Sequence, residues 1–501
     1  MISLNSGRLH RCAPLRTAPV LAILLALAAS QAHARQLGSL EFEPCTLAPG
    51  FSAVAVEAQC ATLAVPENRA EPDGRQISLS IAWVPARGDG LPDPVFMLAG
   101  GPGQAAQDAY PGLARAFDEV RKTRHVILVD QRGTGRSHPL MCRDEQGNPA
   151  MFDDETDMSS EATAAFAERC RDTLSADADL RFYSTGEAID DLDSVRHALG
   201  AETINLVGIS YGTRVAQQYA KRYPERTRTV LLDGVVPNDL VLGSEHARNL
   251  ESALDMYFAK CREDALCRDK FGDPREQLQA LLAIEQGPEV AFRHPTSGEL
   301  THEVFRRGHL VTVVRMFSYA PHMAALLPLS LSEAGAGRFE PLMGQFQLIS
   351  GSLGEQIHHG MQLSVMCTED VEELVEDPAD DGTVLGNELI AFSKAQCAVW
   401  PKGERAADFR APLSGSNPVL VISGELDPVT PPRYGEAVLS HLDNARHLVL
   451  RGQGHNVVGI GCMPRLMAQF FDKADPAALD ATCLDGLRAA PPFVAFYGWE
   501  P

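Results

Sequence analysis

The chain has 501 residues, 45% of them hydrophobic, 22% charged and 6% aromatic, with a formal charge of -22. This is globular composition, long enough for one large domain with an insertion or for two domains. The acidic balance argues against nucleic acid and anionic membranes as partners.

Residues 1–34 read as a signal peptide. Arg8, Arg11 and Arg16 form a positive n-region, "VLAILLALAA" an apolar h-region too short to span a bilayer, and "AHA" before Arg35 a small-residue cleavage site. Cleavage after Ala34 would remove these three arginines, taking the charge from -22 to -25, and would remove Cys12, leaving ten of the eleven cysteines. An exported chain with an even count is expected to form disulfides. Neighbour spacing pairs Cys45 with Cys60, Cys142 with Cys170, Cys261 with Cys267, Cys367 with Cys397 and Cys462 with Cys483. No C-x-x-C pair is present, so no structural zinc site is expected, nor is any metal or cofactor. No later segment is apolar enough to span a membrane. The expected location is the periplasm or the medium.

After the leader, "CATLAVPEN" and "QISLSIAWVPA" alternate partially around the polar turn "RAEPDGR" and predict two antiparallel edge strands. Short Val/Ile/Leu runs follow: "PVFMLAGGPG", "HVILVDQRG", "INLVGIS" and "TVLLDGV", then much later "PVLVISGELD" and "HLVLRGQGH". Runs that are polar only at their C-terminal ends suit parallel strands covered on both faces. Helical patterns such as "EAIDDLDSVRHALG" lie between them. The alternation breaks in the middle, where "LESALDMYFAKC" places Leu250, Leu254, Tyr257 and Phe258 on one helical face. The expected architecture is α/β: a mostly parallel central sheet with an inserted, mainly helical cap. Its parts are a core from 35–236, the cap from 237–405, and a second core part from 406–501.

Within "INLVGISYGTRVAQQYAKRYP", Ser210 lies between Gly208 and Gly212, at the junction of a predicted strand and a predicted helix. G-x-S-x-G in that context is a nucleophile elbow, whose small neighbours permit the sharp turn that exposes the serine. A serine needs a base, and the base an acid to orient it, in the chain order Ser, Asp or Glu, His. "VLVISGELDPVTPP" offers Asp427, with Glu425 as the competing carboxylate and Asp233 a distant third, more fitted to a structural turn. Of fifteen histidines, His455 alone closes a late strand inside a glycine-bracketed loop. Oxyanion donors are expected from the N–H groups of Tyr211 and Gly101, with Gly100 as the alternative.

"GGPG", "DQRGTGRS", "GISYGT", "GELDPVTP" and "GQGH", in this order, resemble the prolyl iminopeptidase and tripeptidyl aminopeptidase family of α/β-hydrolases, and its cysteine-rich exported branch above all. The resemblance implies a serine exopeptidase acting on a free peptide N-terminus, with Ser210, Asp427 and His455 as its triad. It leaves Asp130, Arg132 and Ser137 a structural role. Prolyl iminopeptidases carry a histidine before the glycines where this chain has Ala99, which fits the tripeptidyl branch better.

An exopeptidase needs an anion for the substrate's ammonium. "SVMCTED" offers Glu369 and Asp370, against the plainer reading of both as solvated acids. The adjacent His358 and His359 read as surface residues. Two rivals stand beside the peptidase: a carboxylic ester hydrolase on the same fold, and a secreted binding protein without activity.

Overall fold

The computed structural model describes residues 35–50, 54–151 and 159–498. The expected leader and its cleavage site lie outside the described residues. Eight strands precede the middle region: β1 (Arg35–Leu37), β2 (Leu40–Leu47), β3 (Val56–Pro66), β4 (Gln76–Val84), β5 (Val95–Leu98), β6 (Val126–Val129), β7 (Ile204–Ile209) and β8 (Thr227–Asp233). Two more, β9 (Gln286–Arg293) and β10 (Leu300–Arg306), form a separate hairpin, and β11 (Val419–Gly424) and β12 (Ala445–Leu450) come last.

Ten of these strands make one sheet, in the order β1-β2-β3-β4-β6-β5-β7-β8-β11-β12. The run from β6 to β12 is parallel, while β1 to β4 are antiparallel and join it through the antiparallel pair β4–β6. Every residue of β5, β6, β7 and β11 is buried. Helices cover both faces, which explains the unbroken apolar runs. Two core clusters follow, one on each face: Phe96, Ile127 and Leu206 belong to the first, and Met97, Leu128 and Val207 to the second.

The strands expected at the edge are instead interior. β3 and β4 do pair, but β2 and β1 extend the sheet beyond them. β2 ("LEFEPCTL") alternates buried and exposed residues only at its start, so its pattern is easily missed.

Between β8 and β11 the chain is mostly helical, and Leu250, Leu254, Tyr257 and Phe258 of the helix His246–Glu263 are all buried. They belong to a third apolar cluster, which also takes Val290, Phe292 and Phe305 from the β9–β10 hairpin. The hairpin is an addition to the helical expectation; its strands carry many exposed polar residues and give a weak alternation. Five disulfides join Cys45–Cys60, Cys142–Cys170, Cys261–Cys267, Cys367–Cys397 and Cys462–Cys483. Among the described residues, no helix is long and apolar enough to cross a membrane.

Candidate active site

β7 ends at Ile209 and the helix Tyr211–Arg222 begins two residues later, so the chain turns at Ser210 alone. Ser210 has φ 54° and ψ -123°, a conformation that L-residues rarely adopt and that costs about 1–3 kcal/mol. The turn is tied by the Ser210 N–H to the Asp233 carbonyl (2.8 Å) and by the Thr213 hydroxyl to the Ser210 carbonyl (2.6 Å). A Cβ on Gly208 would lie 2.5 Å from the Gly212 carbonyl oxygen, and one on Gly212 would lie 2.3 Å from that of Leu98. Both glycines of the motif are therefore demanded by the packing of the helix onto β5 and β7.

Asp427 follows β11 and His455 follows β12, neighbouring strands of the sheet. His455 Nδ1 is 2.8 Å from Asp427 Oδ2, with both side chains buried. Asp427 Oδ1 accepts the N–H groups of Val429 and Thr430, each at 2.8 Å, and Oδ2 accepts the Thr430 hydroxyl at 2.9 Å. A carboxylate so surrounded is an acceptor only, so Nδ1 carries the histidine proton and Nε2 keeps a lone pair. Burial opposes charge on both groups. Their mutual attraction outweighs it, holding His455 above its usual value and Asp427 below its own.

The competing acids have other partners. Glu425 accepts the Gly452 N–H at 2.7 Å in the loop before His455. Asp233 is fully buried and accepts the N–H groups of Val457 and Val458 at 2.8–2.9 Å, fixing the chain just beyond His455; burial pushes its carboxyl up to about 6. Two partners of His455 were not singled out in the sequence. Thr430 also stands 3.1 Å from Nδ1, and the Tyr319 carbonyl accepts the His455 N–H at 2.8 Å with its ring edge-on at 5.3 Å. A threonine three residues after the acid was a readable signal for the first; nothing in the sequence marks the second.

Ser210, Tyr211, Gly101, Thr430 and His455 line one cavity of about 630 Å³. Tyr211 opens its helix, where first-turn N–H groups have no intrahelical acceptor. Gly100 does not line the cavity; it packs on Ser210, where an added Cβ would meet the serine Cβ at 3.1 Å. The other wall comes from the helical middle region and is largely apolar, with Met316, Met323, Leu353, Leu363, Met366 and Leu389 among its residues.

Glu369 and Asp370 are not in that wall, which corrects the expectation of an ammonium site there. Asp370 is buried in an ion pair with Arg214 (2.9 Å), is 3.1 Å from Arg410, and accepts the Leu242 N–H at 2.8 Å. Glu369 accepts the N–H (2.7 Å) and hydroxyl (2.9 Å) of Thr185, and burial pushes it up to about 7 despite Arg214. Nor are they solvated acids; both are buried. The expectation of surface histidines also fails. His358 is buried, accepting the Gly135 N–H at Nε2 (3.0 Å) and facing the Gly103 carbonyl from Nδ1 (3.1 Å). His359 is buried between Gln362 and Gln396. Their helix begins at His359 and packs against the core, so adjacency did not leave either ring at the surface.

The "DQRGTGRS" residues build the loop beside the site. Arg132 is fully buried, with two nitrogens on Asp191 at 2.6 and 2.7 Å; Asp130 accepts the Gln107 and Arg136 N–H groups; Ser137 accepts the Ser80 N–H at 2.7 Å.

A strand–Ser–helix turn beside a His–Asp pair, on a parallel sheet of this order, belongs to a serine hydrolase of the α/β-hydrolase fold. Residues 93–269 match the family described as alpha/beta hydrolase fold, and residues 383–483 the family described as TAP-like protein. The chain has the α/β-hydrolase fold, and its C-terminal part is similar to the TAP-like proteins. It is similar to serine protease Hip1 of Mycobacterium tuberculosis, with 26% identity over 464 residues, 86% of this chain and 88% of that one. It is similar to the tripeptidyl aminopeptidase of Streptomyces coelicolor, with 24% identity over 465 residues, 85% and 83% of the two chains. A shorter stretch of 223 residues is 31% identical to carboxylesterase B of Mycobacterium tuberculosis, covering 42% of this chain and 43% of that one.

Proposed function

We propose that the chain is an exported serine exopeptidase that releases residues or short peptides from a free peptide N-terminus through an acyl-enzyme on Ser210. The observation that carries this is the single cavity holding Ser210, His455, Gly101 and Tyr211. Ser210 attacks the scissile carbonyl while His455 Nε2 takes its proton, and Asp427 steadies the imidazolium. The N–H groups of Gly101 and Tyr211 hold the oxyanion. His455 then protonates the leaving amine and activates water to free the acyl group. Two relatives matched over more than four fifths of their length carry peptidase names and support a peptide substrate. The expected leader of residues 1–34 and the five disulfides support export. The middle region, 237–405, acts as the cap between core parts 35–236 and 406–501.

The second reading is a carboxylic ester hydrolase. Among the described cavity-lining residues there is no aspartate or glutamate to hold an ammonium, and this favours it. Hydrolysis of a tripeptide anilide with a free amine, beside its N-acetyl twin, separates the two, with Ser210→Ala as control. The peptidase reading expects cleavage of the free-amine form alone, lost in the control. Equal cleavage of both forms, or turnover of simple aryl esters only, would replace it with the esterase.

A further inference from the structure

Arg315 sits in the last turn of the helix Arg307–Phe317 and lines the Ser210 cavity as its one arginine or lysine among the described residues. It is only half-buried, yet no carboxylate or carbonyl of a described residue accepts a hydrogen bond or ion pair from it. That is unlike the buried arginines elsewhere: Arg124, Arg132 and Arg214 each sit on an aspartate. His246, the first residue of the helix His246–Glu263, lines the same cavity and its ring also has no hydrogen-bond partner among the described residues. Burial, together with the charges of Arg315 and His455, pushes His246 down to about 3, so it is neutral there and can offer an N–H without repelling the guanidinium.

An unpaired guanidinium in a largely apolar pocket is an acceptor-seeking group, and its planar fork matches a carboxylate. We propose that Arg315, with His246 nearby, is a specificity-determining subsite for a carboxylate of the substrate. The proposal rests on Ser210 being the nucleophile of this cavity. The carboxylate comes from an acidic side chain or from the substrate's C-terminus. A substrate ammonium is directed away from Arg315 by like charge.

The test measures kcat/KM for matched pairs that differ only in that charge. Tripeptide 4-nitroanilides with Glu or Gln at each position read an acidic side chain. Tetrapeptides as free acids or amides read a C-terminal carboxylate. 4-Nitrophenyl hydrogen glutarate beside 4-nitrophenyl butyrate reads the subsite without a peptide bond. The expected result is one peptide pair, and the ester pair, favouring the charged member by about 10- to 100-fold, mainly in KM. Arg315→Gln brings the ratio to about one and Arg315→Lys recovers part of it. Each ratio is taken on one protein sample, so partial misfolding of a variant cancels. Ratios near one throughout in the wild type, or a preference that survives Arg315→Gln, would overturn the subsite. If all peptides resist cleavage while both esters turn over, the peptidase reading fails and the ester ratio still decides the role of Arg315.

Discussion

The hydroxyl of Thr430 donates to Asp427 Oδ2 at 2.9 Å, the same oxygen that His455 Nδ1 reaches at 2.8 Å. Thr430 therefore fixes the rotation of the acid that fixes the base. Thr430→Val removes one hydrogen bond to a charged group, and kcat should fall about 10-fold with KM little changed. Steady-state kinetics on a good substrate check this; an unchanged kcat would show that the backbone donors to Oδ1 hold Asp427 alone.

His455, the proposed base, would act only when neutral. Burial favours the neutral form of His455, but Asp427 outweighs it and holds the value above 6.5. The acid limb of the kcat/KM profile should therefore fall at a pH above 6.5, with activity lost as pH drops through it. Asp427→Asn removes the stabilising charge, so the limb should move down and kcat should drop about 10⁴-fold. A limb that stays in place in the variant would assign it to another group.

Glu369 faces Thr185 and Arg214 instead of the substrate, so Glu369→Gln should leave KM for a free-amine peptide unchanged. Its effect belongs to stability. The folded value of about 7 lies above the usual 4.5, mainly through burial, so the protonated form is favoured in the native state. That contribution is fully present below 4.5 and lost as pH rises through about 7. The variant keeps a neutral amide throughout, so its Tm relative to wild type should climb between pH 5 and pH 8. Thermal unfolding at a series of pH values measures this, and a flat difference would refute it.

Cys367 and Cys397 join two helices, His359–Glu369 and Glu388–Val399, that both supply residues to the cavity wall. Replacing both with serine opens a loop with a sequence separation of 30, and should cost about 2–5 kcal/mol of stability. KM should rise as the wall loosens, while kcat changes less because Ser210 and His455 stand on the sheet. Calorimetry and steady-state kinetics on the double variant read the two effects separately.

The parallel strands were legible because burial on both faces leaves long Val/Ile/Leu runs with polar residues only at the ends that carry chemistry. Ser210, Asp427 and His455 all fall at such ends, where local sequence and position in the fold coincide. β2 was not legible, because only its first residues alternate. Glu369 and Asp370 misled for a different reason: "SVMCTED" reads as an exposed acidic corner, but Arg214 lies 156 residues earlier than Asp370 and nothing local announces their pairing. Arg315 shows the converse. Its significance is the lack of a partner, and that is a property of the folded surroundings alone.

Asp427 and His455 are encoded after the long, mostly helical middle region, just beyond the strands that complete the sheet beside β8. A ribosome has made Ser210, its turn and most of the sheet well before either partner exists. With the proposed triad, the growing chain stays chemically silent until β11 closes against a strand laid down almost two hundred residues before. On that reading, latency during synthesis follows from the order of the segments.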